Sequence, residues 1–226
     1  QMDSIPMVII CGQQTTGNLG LDAFQEADVS GISYPVVKHS YLVKEAQEMP
    51  RILREAFHLC QTGRPGPVLV DVPKDVSSAL VDPDYTEEFH LPGYTVPGPG
   101  DESDIAEAAR LLRRAKKPII LVGHGAVISG AEDAIRQLAE KVRVPVTNTL
   151  LGKGCFPETH ELSLGMLGMH GTAYANKAIV DCDLVMSVGS RWDDRIVGKY
   201  STFCPDAVKI HVDIDEAEFE KTLSMD

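Results

Sequence analysis

Short apolar runs alternate with amphipathic helical patterns along most of the chain. The apolar runs are rich in β-branched residues and predict strands at Met7–Cys11, Pro67–Val72, Pro118–Val122, Val144–Thr149, Asp183–Val188 and Val208–Ile214. The patterns between them predict helices at Lys44–Gln61, Ser103–Ala115, Gly130–Val142 and Gly171–Asp181. Strands that are apolar at almost every position are typical of parallel sheets covered by helices on both faces. The sequence therefore predicts an α/β protein with doubly wound parallel sheets.

Residues 81–100 interrupt this alternation and are rich in proline and glycine, as in Leu91-Pro92-Gly93 and Pro97-Gly98-Pro99-Gly100. Proline fixes φ and removes a backbone donor, and glycine frees the backbone, so such a stretch is typical of an extended connector. We therefore predict one domain at 1–80, an interdomain linker at 81–100 and a second domain at 101–226. The first helix of the second domain is expected to be capped by Asp101 or Ser103.

The composition narrows the classes of function. The chain carries 21 Lys and Arg against 33 Asp and Glu, a net charge of -12. Nucleic acids and anionic membranes are bound by clustered Lys and Arg, so this balance argues against both partners. No apolar run approaches the ~18 residues of a membrane span. The five cysteines have no C-x-x-C spacing and predict neither a disulfide framework nor a zinc site, so we expect a soluble cytoplasmic protein without a metal site of its own.

The most distinctive local pattern follows the predicted strand Asp183–Val188 and reads Gly189-Ser190-Arg191-Trp192-Asp193-Asp194-Arg195. In a doubly wound sheet, ligands bind beyond the carboxyl ends of the strands, where a glycine lets a phosphate or a ring approach the backbone. Two arginines at such a place can hold a diphosphate with paired hydrogen bonds. The same residues are equally consistent with a strand-end turn that carries a surface salt-bridge cluster.

Three further patterns at strand ends could contact a nucleotide. Asp213 lies at the tip of the last predicted strand, where an acidic residue can meet ribose hydroxyls or cap the next helix. Gly123 and Gly125 follow another strand and either admit a phosphate or only turn the chain. Residues 167–171, Leu-Gly-Met-His-Gly, precede a helix of small residues and could wrap a flat ring, although a single His more often has a capping or core role.

In the first domain, residues 63–75 combine two proline stops with a buried strand, which places Arg64 and Lys74 at opposite ends of that strand. This pattern is also consistent with a simple, well-terminated central strand. A polar loop after Gly20 carries Phe24 and Gln25 side by side. Aromatic residues in loops often only pack onto the protein surface, so the loop alone identifies no function.

Taken together, the motifs resemble those of acetohydroxyacid (acetolactate) synthase catalytic subunits, which depend on thiamine diphosphate. The resemblance runs from Asp3 to Asp226 and rests on Gly20-x-Asp-Ala-Phe-Gln-Glu-Ala-Asp28, Lys38-His39, Gly63-Arg-Pro-Gly-Pro-Val68, Asp71-x-Pro-Lys-Asp75, Leu167-Gly-Met-His-Gly171 and Gly189-x-Arg-x-Asp-Asp-Arg195. The proline-rich strand is shared by many thiamine-diphosphate enzymes. The last two motifs are more restrictive and are similar to those of the flavin-containing synthases.

The resemblance implies that residues 1–80 end a truncated pyrimidine-binding domain and that 101–226 form a Rossmann-like, FAD-binding central domain. The full-length enzyme would join two 2-oxo acids, pyruvate with pyruvate or 2-oxobutyrate, with loss of CO2, using thiamine diphosphate and Mg²⁺ in branched-chain amino acid biosynthesis. It would work as a homodimer or tetramer, with a possible regulatory subunit. The residues similar to flavin contacts are Arg64, Gly123, Gly125, Thr149, Leu150, Leu167, Gly168, Met169, His170, Gly189, Arg191, Asp193, Arg195, Asp213 and Ile214.

By the same resemblance, Phe24 and Gln25 lie near the reacting carbons, Lys74 and Asp194 line the access channel, and Arg195 also meets the carboxylate of the second 2-oxo acid. The family's catalytic glutamate belongs upstream of Gln1 and its metal motif beyond Asp226. The first predicted strand also begins almost at the first residue, so we expect an inactive portion of a longer protein. Thr15 stands where the family has proline, which puts the shape of the channel in question.

Three alternatives stay open on the sequence. Another FAD-retaining carboligase, using glyoxylate or sulfoacetaldehyde, would share most of these motifs. A non-catalytic nucleotide-binding or structural module would share the fold without holding flavin. An NAD-dependent oxidoreductase is disfavoured, because no G-x-G-x-x-G follows any predicted strand.

Overall fold

The computed structural model describes residues 1–84, 88 and 90–225. It divides into two compact units, Gln1–Pro97 and Gly98–Asp226. This division falls inside the stretch predicted as a linker, residues 81–100. Residues 85–87 and 89 of that stretch, and Asp226 of the predicted second domain, lie outside the described residues.

The first unit is built on a parallel sheet of three strands in the order β1-β3-β2. Its strands are β1 (Met7–Gln13), β2 (His39–Leu42) and β3 (Pro67–Pro73), and its helices are α1 (Val29–Ser33), α2 (Met49–Gln61) and α3 (Lys74–Ser78). The central strand β3 is buried along its whole length, which explains its unbroken apolar pattern. Its inner residues pack with Ile52, Ala56 and Leu59 of α2 in one core.

The second unit contains a parallel sheet of five strands in the order β6-β5-β4-β7-β8. Its strands are β4 (Pro118–Val122), β5 (Val146–Asn148), β6 (Ser163–Met166), β7 (Leu184–Val188) and β8 (Val208–Val212). Its helices are α4 (Glu102–Arg114), α5 (His124–Ile128), α6 (Glu132–Val142), α7 (Ala173–Asp181) and α8 (Asp194–Val197). Short 3-10 turns occupy Thr16–Asn18 and Ala46–Glu48 in the first unit, and Tyr200–Thr202 and Glu216–Glu218 in the second.

Alternate residues of β4 enter two different cores, one on each face of this sheet. Ile120 and Val122 pack into the core that holds Leu112 of α4 and Ile135 of α6. Ile119 and Leu121 pack into the core that holds Ile179 of α7. The strand is buried on both faces, and the predicted α/β fold with doubly wound parallel sheets is confirmed.

The strand order reverses at β4, because the chain runs from β4 to β5 and β6 on one side and then crosses to β7 and β8 on the other. In open parallel sheets the crevice at such a reversal, beyond the carboxyl ends of the strands, is the usual ligand site. Here the two chain segments that leave this crevice begin at Gly123 and Gly189. The glycine turns that the sequence indicated as candidate ligand contacts therefore lie at this crevice.

Several predicted boundaries were wrong. Helix α2 begins at Met49 and not at Lys44. Pro50 has no backbone N–H to donate to a residue four positions earlier, so it favours the first turn of a helix, and residues 46–48 form a 3-10 turn instead. Strand β5 is confined to Val146–Asn148, since Pro145 precedes it and Thr149 already starts a turn. Strand β8 ends at Val212, two residues before the predicted end. The predicted cap of α4 is confirmed for Asp101, whose carboxylate accepts the N–H of Ser103 at 2.7 Å.

None of the helices in the described ranges has the length and apolar character of a membrane span.

Candidate functional site

Three glycines allow the turns after β4 and β7 to touch at the reversal of the strand order. The Gly125 N–H donates to the carbonyl oxygen of Gly189 at 3.0 Å, and the Gly123 N–H donates to Val188 at 2.9 Å. A Cβ on Gly123 would overlap the Gly189 carbonyl, and a Cβ on Gly125 would lie 2.7 Å from the Gly189 Cα. Glycine is therefore required at 123 and 125 by the close approach of two chain segments, whatever ligand binds above them.

The turn after β7 is anchored by a tryptophan that the sequence reading did not single out. Trp192 has a left-handed φ of 55° and a fully buried side chain that meets the Phe203 ring edge-on at 5.8 Å. Asp193 then caps α8 by accepting the N–H groups of Arg195 and Ile196 at 2.9 and 3.2 Å. Burial of the indole thus fixes the direction of the residues on either side of it.

The same turn orients its two arginines differently. Arg191 lies 3.1 Å from the Asp193 carboxylate, and both side chains are about one-quarter to one-third exposed. Arg195 lies 3.8 Å from Asp194, and both of these side chains are mostly exposed. Arg191 is consequently the pre-oriented guanidinium of the pair, whereas Arg195 and Asp194 form an exposed and weaker ion pair.

Residues 167–171 pack directly against this turn. The Met169 N–H donates to the carbonyl oxygen of Arg195 at 2.9 Å, and a Cβ on Gly168 would lie 2.6 Å from that same oxygen. The side chain of Leu167 is buried in the core, so only its backbone is available to a ligand. Met169, by contrast, is 62% exposed, and His170 is exposed beside it. The structure therefore brings the two most restrictive motifs of the sequence together.

Asn176 holds the Gly168 peptide from both sides and was missed by the sequence reading. Its Oδ1 accepts the Gly168 N–H at 3.0 Å and its Nδ2 donates to the Gly168 carbonyl at 3.0 Å. The Gly168 N–H can only donate, so the orientation of the amide is fixed. The available signal was the single carboxamide in the sequence of α7.

An Asn176→Asp variant should lose about 1–3 kcal/mol of stability in the second unit, because an oxygen replaces the donor that faces the Gly168 carbonyl. Urea unfolding followed by circular dichroism measures this loss. Acidification toward about pH 4 protonates the new carboxyl group, which can then donate again, so the deficit should shrink there. An equal deficit at both pH values would contradict the role assigned to Nδ2.

The residues that follow β5 and β8 add two polar and two apolar side chains to the same edge of the sheet. After β5, the Thr149 N–H donates to Val122 at 2.9 Å, its hydroxyl accepts the Gly152 N–H at 3.0 Å, and Leu150 is 66% exposed. After β8, Ile214 is exposed and the Asp213 carboxylate accepts the Asp215 N–H at 3.0 Å. Asp213 therefore holds the turn directly after β8, whereas the following 3-10 turn is capped by Asp215 and not by Asp213. Its contact with ribose hydroxyls stays a prediction.

The Asp213 carboxyl group is ionised at neutral pH. Burial raises its pKa, but hydrogen bonds from His211 and from the Asp215 N–H outweigh burial and hold that pKa below its ordinary value. A partly buried carboxylate at this position is suited to accept hydroxyl donors of a sugar.

The edge therefore combines a glycine crevice, an oriented guanidinium, an ionised carboxylate and exposed apolar side chains, Leu150, Met169 and Ile214. A guanidinium suits a diphosphate, a carboxylate suits a ribose, and apolar side chains suit a flat ring. All of these groups follow the carboxyl ends of parallel strands of one sheet. The residues present fit a nucleotide that carries a ring system.

Of the predicted flavin contacts, only Arg64 lies in the first unit. Its Nε donates to the Ser4 hydroxyl at 3.0 Å, and its carbonyl oxygen accepts from the Lys38 ammonium at 3.0 Å. The other predicted contacts all belong to the second unit.

The first unit places Gln25 and Lys74 on one cleft of about 790 Å³, together with Gln13 and Gln14. Gln25 has a left-handed φ of 64°, and the neighbouring Phe24 is 85% exposed. The loop is held from behind, since Gln14 Nε2 donates to the Phe24 carbonyl at 2.6 Å and the Glu26 carboxylate accepts the Ala23 N–H at 2.9 Å. Phe24 is thus presented outward by a constrained loop and does not pack onto the surface.

Thr15 has a φ of -58°. This value lies within the narrow range that a proline ring imposes, so a proline could replace Thr15 without a change in φ.

A buried carboxyl group supports the loop from the end of β3. Asp71 is 2% exposed and accepts from Gln13 Nε2 at 3.0 Å, and the same nitrogen donates to the Ala27 carbonyl at 2.8 Å. Burial raises the pKa of Asp71, the hydrogen bond from Gln13 lowers it, and Asp28 raises it again, with a net increase.

An Asp71→Asn variant should change how stability depends on pH. The folded state binds the Asp71 proton more tightly than the unfolded state, so this group penalises folding as pH rises through and above its ordinary pKa of about 4. The variant lacks that penalty and should gain stability relative to the wild-type chain, by the order of 1 kcal/mol, between about pH 4 and pH 7. Urea midpoints across this range measure the difference, and a constant difference would contradict the burial argument.

Comparisons with known proteins identify the family of the chain. A family model described as thiamine pyrophosphate enzyme, central domain, matches residues 105–226. The chain is 50% identical to an acetolactate synthase of Arthrospira platensis over 100% of its own length and 40% of that protein. It is 49% identical to an acetolactate synthase large subunit of Corynebacterium glutamicum, over 97% of the chain and 35% of that subunit.

A third relative, an acetolactate synthase large subunit of Parasynechococcus marenigrum, is 46% identical over 100% of the chain and 37% of its own length. The chain thus spans well under half the length of these curated relatives. The family match covers the unit that contains the five-stranded sheet and its glycine crevice. The chain therefore belongs to the thiamine pyrophosphate enzyme family and carries its central domain at residues 105–226.

Proposed function

We propose that the chain is part of the catalytic subunit of an acetolactate synthase, which condenses two 2-oxo acids with loss of CO2 in branched-chain amino acid biosynthesis. The proposal is supported by the identity of 46–50% to proteins of that name across the whole chain. The observation that carries it is the glycine crevice between β4 and β7 with Arg191 and Asp213 on its borders, where a nucleotide cofactor fits. Thiamine diphosphate with Mg²⁺ would supply the decarboxylation and the carbon–carbon bond formation.

The cofactor proposed for the second unit is FAD, held without net redox chemistry. Arg191 would bind its diphosphate, and the carboxylates of Asp193 and Asp213 would orient that arginine and a ribose, respectively. Leu150, Met169 and Ile214 would supply apolar contact area, which their exposure leaves available. The other proposed contacts are Gly123, Gly125, Thr149, Leu167, Gly168, His170, Gly189 and Arg195 of the second unit and Arg64 of the first.

Residues of the first unit would act on the substrates. Phe24 and Gln25 would lie near the reacting carbons, since their loop is constrained and presented outward. Lys74 would attract the anionic 2-oxo acid toward the cleft that it shares with Gln25. Asp194 and Arg195 are the exposed ion pair of the second unit, and Arg195 would meet the carboxylate of the second 2-oxo acid.

We further propose a cytoplasmic homodimer or homotetramer with a regulatory subunit. Two of the relatives are named large subunits, which supports a second type of subunit. All five cysteines are free thiols, as is typical of proteins in a reducing compartment.

A chimera tests the activity. The segment of the Arthrospira platensis synthase that aligns with this chain is replaced by residues 1–226, and acetolactate formation from pyruvate is measured with thiamine diphosphate, Mg²⁺ and FAD. We expect acetolactate formation and a protein that copurifies with flavin. A folded, flavin-loaded chimera that uses glyoxylate or sulfoacetaldehyde but not pyruvate would assign the chain to another carboligase. A folded chimera without flavin would contradict the proposed cofactor.

A further inference from the structure

We propose that His211 is a positioning residue that ties the two cofactor-facing turns of the second unit, after β7 and after β8, to each other. The inference rests on the proposed function in one respect, namely that FAD lies at this edge of the sheet. His211 itself lies in the interior of β8, where its side chain is 1% exposed, so it contributes through the groups that it holds and not by touching the ligand.

The imidazole reaches both turns with one nitrogen. His211 Nε2 lies 2.9 Å from the carbonyl oxygen of Ser190, in the middle of the Gly189–Arg191 turn. The same nitrogen lies 3.5 Å from Oδ2 of Asp213, at the end of β8. The two turns are otherwise joined by a backbone hydrogen bond from the Gly189 N–H to Val212 at 2.8 Å. His211 therefore supplies the side-chain link between the arginine turn and the ribose-facing carboxylate.

The hydrogen-bond partners fix the tautomer of the ring. A carbonyl oxygen can only accept, so Nε2 carries the proton and donates to Ser190. Within the described part of the chain, the buried Nδ1 of His211 has no hydrogen-bond partner. The second nitrogen is thus not used to hold the ring, and the donor function of Nε2 is the chemical reason for a histidine here.

Aromatic side chains hold the imidazole in this orientation. Trp192 meets it edge-on at 5.9 Å between ring centroids, and Phe219 does so at 5.2 Å. Trp192 belongs to the arginine turn, and Phe219 follows the 3-10 turn that Asp215 caps. The packing and the hydrogen bonds therefore connect the same two segments, and a loss of the Nε2 donor should loosen both of them together.

Two variants of the full chain separate the donor from the packing. His211→Phe keeps a flat ring between Trp192 and Phe219 but cannot donate, whereas His211→Gln places an amide donor near the position of Nε2. We expect the Kd for FAD, measured by quenching of flavin fluorescence, to rise about tenfold or more in the phenylalanine variant. The glutamine variant should stay within about threefold of the wild-type value, because it restores the donor.

Amide hydrogen exchange supplies a readout that does not need flavin. In the phenylalanine variant, exchange should accelerate at both 189–193 and 213–215, while the strands β4 and β5 keep their protection. A folded phenylalanine variant with unchanged FAD affinity and unchanged exchange in the two turns would overturn the inference, as would a glutamine variant that matches phenylalanine in both measurements. If the wild-type chain binds no FAD, flavin binding by this chain alone fails, and the exchange experiment still decides the role of His211.

Discussion

Replacing Gly189 by alanine should cost the second unit about 2–5 kcal/mol of stability, a large share of the roughly 5–15 kcal/mol that stabilises a typical domain. Gly189 has a φ of 64°, a conformation that costs an L-residue about 1–2 kcal/mol. A Cβ at this position would also lie 2.5 Å from the backbone nitrogen of Ala126 and from the Cα of Gly125. Backbone atoms at the start of α5 cannot rotate away as a side chain does, so the overlap adds about 1–3 kcal/mol.

Gly130→Ala is the matched control for this prediction. Gly130 also lies in the second unit and has a φ of 65°, but a Cβ there would meet its nearest atom, an oxygen of Glu132, only at 3.9 Å. The control therefore carries the conformational cost of about 1–2 kcal/mol without the overlap. Urea unfolding of both variants separates the cost of the backbone conformation from the cost of the overlap. Equal losses of stability in the two variants would mean that the crevice accommodates a methyl group. Glycine at 189 would then be required only for its backbone conformation.

The elements that the sequence predicted well are those with two buried faces. β3, β4 and β7 are central strands, and their unbroken apolar runs follow from burial on both sides. β2 and β6 were missed because each is an edge strand of four residues with polar or glycine positions, His39-Ser-Tyr-Leu42 and Ser163-Leu-Gly-Met166. Such strands owe their conformation to a neighbour far away in sequence, which no local pattern records.

The residues of the candidate site likewise differ in whether a local sequence pattern could predict them. The glycine turns and Arg191 were predictable because their motif directly follows a recognisable strand. Asn176, Trp192 and His211 were not, because each acts through a partner in another element, as when Asn176 holds a peptide eight residues before it. The sequence also left open whether Gly123 served a ligand or the chain, and the overlap with Gly189 identifies a packing requirement.

Replacing Arg191 should have the largest effect on the proposed flavin site. Its guanidinium is already aimed by Asp193 at 3.1 Å, so little ordering is lost when it binds a diphosphate. A hydrogen bond to a charged group contributes about 1.5–3 kcal/mol, which corresponds to roughly a 10- to 100-fold rise in the Kd for FAD in Arg191→Gln. Arg191→Lys keeps the charge but not the planar pair of donors, so its affinity should fall between the two. Fluorescence titration of the full chain with FAD measures all three.

Arg143→Gln controls for the general loss of a cation. Arg143 is paired with Glu161 at 2.5 Å, much as Arg191 is paired with Asp193, but it precedes β5 and so lies at the opposite, amino edge of the same sheet. Its replacement lowers the net charge by the same amount and should leave the Kd for FAD within about twofold, because exposed ion pairs contribute little and act only at short range. If both variants weakened FAD binding equally, the effect would reflect overall charge. A selective loss in Arg191→Gln, with unchanged urea midpoints, would instead locate the diphosphate at the carboxyl edge, beside the crevice that Gly123 and Gly189 form.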